Sequence, residues 1–390
     1  MTGTLSFWQF EGREVPREAD FLVVGAGITG ASTAWWIRQR APDARIVLID
    51  RGSVAAGASG RNAGFLLRGT VRLFSEEVRE VGLENALRIH RFTTASIRSM
   101  LEALDGLDFS LRKSGSLLAA GDEEEDGLLR ESVRLLRESD EAVEYWSPET
   151  VAERTPAVGF SGGMYDPEGA TVNPVRLVGA LVNGAYASVA TGVSVRRVTE
   201  RDGHLVVETD GPSLRARRVV LGLNAHLPQV DSSLRRYVRP VRAQMLAGRP
   251  ARGFNLDLPV YSHYGYFYVR MAPDGAFLVG GARHLHRDEE VGYDDATTPS
   301  LQSDLEAYAR RHFPSAGALE VTRRWSGTMG FSPDGLPVIG RSDNGAIWAG
   351  GFTGHGMAFG FGIGRMLASL AMDEDPGPEA QPFLADRFGP

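Results

Sequence analysis

A glycine-rich turn near the start of the chain has the residue types and spacing of a dinucleotide site. Residues 21–50 read FLVVGAGITGASTAWWIRQRAPDARIVLID, an apolar run, a GxGxxG turn, a helix-compatible run and a second apolar run. Gly25 permits the tight turn, Gly27 lets a pyrophosphate approach the backbone, and Gly30 lets the helix pack close to the sheet. The phosphates would bind free N–H groups at the helix N-terminus. The predicted contacts are Gly25, Ala26, Gly27, Ile28, Thr29 and Gly30.

An acidic residue closes the second apolar run at the expected distance. Asp50 lies twenty positions after Gly30, where a carboxylate can accept hydrogen bonds from a ribose 2′-OH and disfavours a 2′-phosphate. The alternative is a glycine turn without a ligand. Strand, helix, second strand and terminal acid in register argue against that alternative, so the segment predicts a βαβ unit.

Composition restricts the protein class. With 390 residues and 43% hydrophobic content the chain can bury a large core, in two domains or one interleaved unit. The charge, 42 basic minus 49 acidic residues, is −7 and no basic tract occurs, so no nucleic-acid or anionic-membrane partner is expected. Cysteine is absent, which excludes disulfides and thiolate sites. We expect no metal site, no membrane span and no signal peptide, hence a cytoplasmic protein.

Elements with clear patterns follow the opening βαβ unit. A glycine-rich loop spans 57–70, and helix-like sequence runs to about residue 140, interrupted by a predicted strand pair at 111–120. Alternating residues predict a hairpin at 192–210 with its turn at Asp202-Gly203, and several strands between 237 and 283, two of them joined at 273–275. A helix is predicted at 299–313, and strand, glycine turn and helix at 346–370.

This order predicts a mixed α/β fold in two domains. A discontinuous Rossmann-like cofactor domain would comprise residues 18–75, 150–232 and 335–390. An inserted substrate domain with a mixed or antiparallel sheet would comprise residues 76–149 and 233–334.

Four motifs in order connect the chain with a known family. They are GAGITG with Asp50, GASGRNAG at 57–64, WSGTMGFSPDGLPVIG at 325–340 and GFTGHGM at 351–357. With them the chain resembles the FAD-dependent amino acid and amine oxidases typified by D-amino acid oxidase, glycine oxidase and monomeric sarcosine oxidase. GASGRN and GHGM are most similar to bacterial amine oxidases that act on substrates such as γ-glutamylputrescine.

The resemblance implies bound FAD and oxidation of the C–N bond of a small amine or amino acid to an imine, with hydride transfer to flavin N5. Asp50 and Arg51 would hold the adenosine ribose, and the backbone of Val195 the adenine. The loop would line the pyrophosphate, ribityl chain and ring through Ala58, Ser59, Arg61, Asn62, Ala63, Gly64 and Phe65. The last motif would place a helix N-terminus at the flavin N1–C2=O edge through Gly351, Phe352, Thr353, Gly354, His355, Gly356 and Met357.

Attachment of the FAD is expected to be non-covalent. Cysteine is absent, and the loop has Ser59-Gly60-Arg61 where a linking histidine would be needed.

The substrate residues depart from the family pattern. Met329 occupies the position of the arginine that clamps a substrate carboxylate in glycine oxidase, and a thioether offers no bidentate pairing. Arg68 could take over that role, or could support the FAD loop. Tyr266 and Tyr264, expected on one strand face, would form an aromatic wall or belong to the core. His355 would tune the flavin or a substrate proton, or serve the turn alone.

The electron acceptor stays open. Leu278 stands where some sarcosine oxidases carry an oxygen-activating lysine, so oxygen, a quinone or a protein could accept the electrons. A catalytically silent FAD-bound scaffold is a further alternative, and the oligomeric state is not predicted.

Overall fold

The computed structural model describes residues 16–389, which form two large β-sheets and a two-stranded one, with helices packed around them. The strands are β1 (Glu18–Val24), β2 (Ile46–Asp50), β3 (Phe65–Leu66), β4 (Ser116–Ala119), β5 (Glu144–Trp146), β6 (Gly163–Asp166), β7 (Ala170–Thr171), β8 (Ser188–Thr191), β9 (Val195–Arg201), β10 (His204–Thr209), β11 (Leu214–Leu221), β12 (Arg239–Arg249), β13 (Val260–Ser262), β14 (Phe267–Met271), β15 (Phe277–Gly281), β16 (Glu320–Phe331), β17 (Val338–Arg341) and β18 (Ile347–Gly350).

The helices lie between and around these strands. The α-helices are α1 (Ile28–Arg40), α2 (Ala58–Arg61), α3 (Phe74–Val81), α4 (Leu83–Ala103), α5 (Glu123–Glu138), α6 (Pro148–Arg154), α7 (Pro174–Gly184), α8 (Leu227–Val230), α9 (Pro299–His312) and α10 (Gly356–Ala371). Short 3-10 turns span Asn224–His226, Ser232–Arg236, Arg283–Leu285, Pro314–Ala316, Pro378–Phe383 and Ala385–Phe388.

The first large sheet carries the opening βαβ unit. Its order is β17-β18-β11-β1-β2-β8, and β1 pairs in parallel with both β2 and β11. β2 and the ends of β1 and β11 are apolar and buried because helices cover the sheet there, as in parallel sheets generally. α1 and α10 pack on one another, and the indole of Trp36 donates to the carbonyl of Phe361 at 3.1 Å. The C-terminal helix thus lies beside the first one.

The second large sheet is mainly antiparallel, in the order β16-β12-β15-β14-β13-β4-β6-β5. One of its faces packs on α9 through Leu301 and Leu305, around the buried rings of Phe277 and Phe313. The other side of this sheet faces the glycine-rich loop, since the ring of Tyr268 lies 6.4 Å from that of Phe65. The mixed α/β fold class is therefore confirmed.

Several predicted elements are confirmed by the pairing. β9 and β10 form the expected hairpin, and β14 and β15 pair antiparallel across the turn at 273–275. α9 and the β18–α10 unit occupy the predicted segments. The strand pair expected at 111–120 is wrong, because Gly115 at φ +73° breaks the run and leaves only β4 as a strand.

One strand, β6, disagrees with the proposed domain ranges. β6 belongs to the second sheet, although the range beginning at 150 assigns it to the cofactor domain. The sequence there gave no sign of the change because β6 is only four residues long. The division into two domains remains a prediction, in which β6 is now assigned to the substrate domain.

Two expectations concern membranes and location. Among the described residues, no helix combines the length and the apolar character needed to cross a bilayer. The cytoplasmic expectation rested partly on the first residues of the chain, and residues 1–15 lie outside the described part.

Candidate cofactor and substrate site

The glycine turn after β1 is shaped by close backbone contacts. Gly25 has φ +106°, and its N–H donates to the carbonyl of Ile49 at 2.8 Å. A Cβ on Gly27 would lie 2.8 Å from Oγ of Ser59, and one on Gly30 would collide with the carbonyl of Gly25. Side chains at these three positions would therefore fill or distort the turn, as the sequence predicted for a phosphate cradle.

Asp50 supports the same turn from the end of β2. Its Oδ2 accepts from the Ala26 N–H at 2.8 Å and its Oδ1 from the Gly52 N–H at 2.7 Å. Arg51 follows, with Nη2 3.1 Å from Nε2 of His226. Burial, assisted by Arg51, lowers the pKa of His226 to about 4, so this ring is neutral at neutral pH and leaves the guanidinium charge uncompensated there.

A cleft of about 490 Å³ begins at this turn. Fifteen of the predicted cofactor residues line it: Gly25, Gly27, Ile28, Thr29, Asp50, Arg51, Ala58, Ser59, Arg61, Asn62, Val195, Phe352, Gly354, Gly356 and Met357. The sequence reasoning missed others, among them Ser194, Asn224 and His226, which come from connections without a motif. Only their proximity to the ends of β9 and β11 could have suggested them.

Eight predicted cofactor residues do not line this cleft. Four of them line the neighbouring cavity described below, and contacts within the protein explain the absence of the other four. The N–H of Ala26 is taken by Asp50, and Gly30 packs on Gly25. Gly64 accepts from the N–H of Val172 at 2.8 Å, and Gly351 donates to Oδ1 of Asn224 at 3.1 Å. These residues hold the loops from behind and do not face the cleft.

The N-terminus of α10 closes the far end of the cleft. The helix begins at Gly356 without a capping side chain or an acid in its first turn, which leaves a positive end. His355 precedes it, and its buried Nδ1 has no hydrogen-bond partner in the described part of the chain. Burial lowers the pKa of His355 to about 4, so the ring is neutral and can bond to a bound group.

A second cavity of about 440 Å³ continues from the first. The residues that line both are Ala58, Arg61, Asn62, Met329, Gly354 and Met357. Ala63, Phe65, Thr353 and His355 line the second cavity alone. One continuous space therefore runs from the glycine turn, past the end of α10, into a chamber against the second sheet.

Aromatic rings form much of the chamber wall. Tyr264 and Tyr266 line it, as predicted, but Tyr264 is not on a strand: it has φ +55° and lies in the turn between β13 and β14. The prediction that Tyr264 and Tyr266 share a strand face was wrong because Gly265 allows a turn within the YGY sequence. Tyr266 accepts through its hydroxyl from Nη2 of Arg287 at 3.1 Å.

Two further tyrosines in the chamber were missed by the sequence reasoning. Tyr261 and Tyr268 stack at 5.9 Å between ring centroids, beside Phe65. Burial raises the pKa of Tyr261 to about 12, so its hydroxyl stays protonated and can donate. Alternation along β14 could have indicated Tyr268, since it shares a face with Arg270 and follows Tyr266 by two residues.

Arg68 lies away from the chamber. Its side chain is 2% exposed, and it donates to both oxygens of Asp166 at 2.8 Å and to Glu141 at 3.1 Å. A guanidinium occupied in this way is not available to a substrate carboxylate. The structure corrects the substrate-binding hypothesis for Arg68 in favour of the alternative, a supporting role.

Met329 stands at the junction of the two cavities. It lies on β16 opposite Val241, and its Sδ is 3.8 Å from the Cβ that a side chain at Gly354 would have. A thioether at this place supplies packing surface and no charge. It belongs to the apolar wall between the two cavities.

Three arginines line the chamber within residues 16–389, and they differ in their partners. Arg61 pairs with Asp295 at 2.6 Å, and Arg72 donates to the carbonyl of Asp334 at 3.0 Å. Arg283, which the sequence reasoning missed, lies over the ring of Phe331 at 4.8 Å. Its place two residues after a strand that ends in two glycines was the available signal.

Metal chemistry has no visible ligand set in this part of the chain. Among residues 16–389, no group of three or more His, Asp or Glu side chains could hold a metal ion. The arrangement offers a dinucleotide cradle and an aromatic chamber joined to it.

Comparisons with known proteins agree with this geometry. A family model described as FAD dependent oxidoreductase matches residues 20–370. The chain is 24% identical to a probable oxidoreductase OrdL of Rhizobium meliloti over 91% of this chain and 83% of that protein. It is 22% identical to gamma-glutamylputrescine oxidoreductase of Escherichia coli over 90% and 83%. Glycine oxidase of Geobacillus kaustophilus has the same fold, with a TM-score of 0.79, 22% identity and coverage of 94% and 98%.

Proposed function

The chain belongs to the family of FAD dependent oxidoreductases, and from that premise we propose that it oxidises the C–N bond of a small amine or amino acid to an imine. The observation that carries the proposal is the continuity of the two cavities at Met329, Gly354 and Met357. A cofactor in the cleft and a small molecule in the chamber would meet there. Gamma-glutamylputrescine oxidoreductase and glycine oxidase, similar over nearly the whole chain, support amines and amino acids as the substrate class.

FAD, the cofactor of this family, fits the cleft. The crowded positions of Gly25, Gly27 and Gly30 leave backbone surface for a pyrophosphate, and the uncapped end of α10 suits a group that gains negative charge. A bound polar group would give the buried Nδ1 of His355 the hydrogen-bond partner that it lacks among residues 16–389. When bound, FAD supplies a hydride acceptor at its N5 atom.

The protein's own side chains would orient the substrate and exclude water. Tyr261, Tyr266 and Tyr268 present ring faces and edges to the chamber, a wall that suits the apolar or cationic part of an amine. Neutral His355 adds a hydrogen-bonding group without a competing charge. Such a site accelerates reaction mainly by orientation and by a preorganised environment.

An anaerobic reduction screen tests the proposal. Primary, secondary and N-methyl amines and amino acids are mixed with the FAD-loaded protein, and the visible flavin absorption is followed. Bleaching by at least one compound is expected. A broad panel that leaves the flavin oxidised contradicts the proposal and favours the scaffold alternative.

The electron acceptor is tested in the same experiment. No lysine lines the chamber, because the single lysine of the sequence, Lys113, lines a different pocket beside Arg68. Leu278, at the position where some sarcosine oxidases carry a lysine, pairs with Arg270 across β14 and β15. Leu278 favours an acceptor other than oxygen. Reoxidation of the reduced protein by a soluble quinone is therefore expected to exceed reoxidation by dissolved oxygen. Faster reoxidation by oxygen assigns an oxidase.

A further inference from the structure

Arg283 enters the chamber through an unusual stretch of backbone. Gly281 has φ +121° and Ala282 has φ +60°, although Ala282 is a fully buried alanine. The Ala282 N–H donates to the carbonyl of Tyr266 at 2.8 Å, which fixes the turn. A left-handed non-glycine residue costs of the order of 1 kcal/mol and persists where the surroundings require a particular direction of the chain. Here that direction brings the next side chain into the chamber.

The guanidinium of Arg283 has no anionic partner in the part of the chain that the structure describes. Its nearest ring contacts are Phe331 at 4.8 Å and Tyr266 at 5.6 Å, and no side-chain or carbonyl oxygen among residues 16–389 accepts a hydrogen bond from it. Burial lowers the pKa of Arg283, and the neighbouring cations Arg287 and Arg239 lower it further. A partly buried cation amid other cations is a site that lacks an anion.

The other chamber arginines serve as internal comparisons. Arg61 has Asp295 and Arg72 has the carbonyl of Asp334, so their donors are engaged by the protein. Arg283 alone of the three, within residues 16–389, keeps its donors for a ligand. A guanidinium fork matches the two oxygens of a carboxylate, and flanking rings limit the ligand to a small planar group.

We propose that Arg283 binds a carboxylate of the substrate, so that the amine oxidised in this chamber also carries an acid group. The inference rests on the proposed function in one respect, that the bound acid is a substrate to be oxidised. Carboxylate binding at Arg283 does not depend on that reaction, so the anion site itself is a separate property. It moves carboxylate recognition from position 329, where Met329 offers no charge, to the turn after β15.

Ligand binding without turnover tests the anion site. Straight-chain monocarboxylates from acetate to hexanoate are titrated into the FAD-loaded protein, and the change in visible flavin absorption is measured. Saturable binding is expected for the acids and none for the matched amides. The Arg283→Met variant should weaken acid binding by about 30- to 100-fold, the effect of losing a charge-assisted pair. Arg283→Lys, which keeps the charge and loses the fork, should give a smaller loss.

The matched control is Arg239→Met, which removes a nearby cation that does not line the chamber. It should bind the acids like the wild type. Flavin content and melting temperature establish whether each variant is folded. If Arg283→Met does not fold, the comparison of wild type with Arg283→Lys tests the inference. Acids that bind Arg283→Met or Arg283→Lys as tightly as wild type, or that do not bind the wild type, overturn the inference.

The outcomes separate the inference from the proposed function. Arg283-dependent acid binding with no amine able to bleach the flavin leaves the anion site and removes the amine reaction. Bleaching by amines that lack an acid group, at equal rates in wild type and Arg283→Met, leaves the reaction and contradicts a substrate carboxylate at Arg283.

Discussion

Arg270 holds the cofactor loop to the second sheet. Its Nη1 donates to the carbonyls of Ala63, Gly64 and Val172 at 3.0, 3.1 and 2.9 Å, and the residue is 5% exposed. Burial lowers its pKa to about 10, so the guanidinium remains charged at neutral pH. A single side chain thus satisfies three backbone groups at the junction of the loop with β14.

Replacing Arg270 by methionine should destabilise the protein and loosen FAD. The three carbonyls lose a charged donor, and we expect the free energy of unfolding to fall by about 2–3 kcal/mol. Urea unfolding of apoprotein and FAD-loaded protein measures it. Arg112→Met, which breaks an exposed pair with Asp257, is the control and should change it by less than about 0.5 kcal/mol. Equal stability of Arg270→Met and wild type would contradict the role.

Asp50→Ala should weaken FAD binding by about 10- to 100-fold, because the carboxylate supports the turn through two N–H groups and faces the cleft. Fluorescence titration of apoprotein with FAD gives the dissociation constant. Asp20→Ala is a matched control, since Asp20 also accepts a backbone N–H, from Arg45 at 2.9 Å, but lies outside the cleft. A parallel loss of affinity in both variants would show a general destabilisation.

Residue-level prediction from sequence succeeded where a role follows from local geometry. Asp50 was placed because strand, helix and strand fix its distance from the glycines. Arg283 and Arg270 were missed because each acts through partners distant in sequence, Phe331 for one and the loop at Ala63 for the other. Arg68 was misassigned because its acids lie on segments that no local pattern brings together.

At the scale of elements, the ion pairs of Arg68 join three segments. The loop after β3 carries Arg68, the connection after α5 carries Glu141, and β6 carries Asp166. Arg68→Met would leave two carboxylates without their shared cation. We expect a loss of about 3–5 kcal/mol in the free energy of unfolding.

The same variant discriminates support from substrate binding. We expect the substrate to reduce the flavin of the Arg68→Met variant with the same apparent dissociation constant as in the wild type. The measurement is made at a temperature where the variant remains folded. A large rise in that constant with little loss of stability would restore Arg68 as a substrate residue. Thermal melting and stopped-flow reduction supply the two readouts.

His90, on α4, makes the stability of this region depend on pH. Burial, with Arg68 and Arg91 nearby, lowers its pKa to about 3, while Glu168 opposes the shift and Nε2 lies 3.8 Å from Glu141. In the unfolded chain His90 therefore binds a proton near pH 6.5, whereas in the folded chain it binds one only near pH 3. Stability from this group is complete above about pH 6.5 and is lost as the pH falls toward 3.

His90→Gln should flatten that dependence. Between pH 6 and pH 4 the wild type loses up to about 1.4 kcal/mol per pH unit through this histidine, and the variant should lack this part of the slope. Urea unfolding across the range measures both slopes, with His204→Gln, at a partly exposed histidine, as the control. Identical slopes for wild type and His90→Gln would exclude the titration.

Element prediction worked for long periodic segments and failed at short ones. α9, the β9–β10 hairpin and β14–β15 carry their pattern within themselves. The turn at Tyr264 and the sheet membership of β6 depend on which distant strand each segment meets, and a segment of four residues has too little pattern to reveal it.

For the whole molecule, FAD should be held by shape and charge without a covalent bond. The loop side chains near the cleft are Ser59, Arg61 and Asn62, and cysteine is absent from the sequence. Acid or heat denaturation followed by ultrafiltration should release all flavin into the filtrate. Flavin retained by the denatured chain would refute this.

The first sheet has a consequence for the synthesis of the chain. β1 lies between β2 and β11. The other edge of β11 pairs with β10 at its beginning, Leu214–Ala216, and with the much later strand β18 at its end, Val220 and Leu221. α10, whose N-terminus closes the cofactor cleft, follows still later and packs on α1. A nascent chain therefore exposes an unpaired edge at the end of β11 until β18 has been translated. Cofactor loading has to follow the synthesis of α10, and chains stopped before β18 should be substrates for chaperones or proteases.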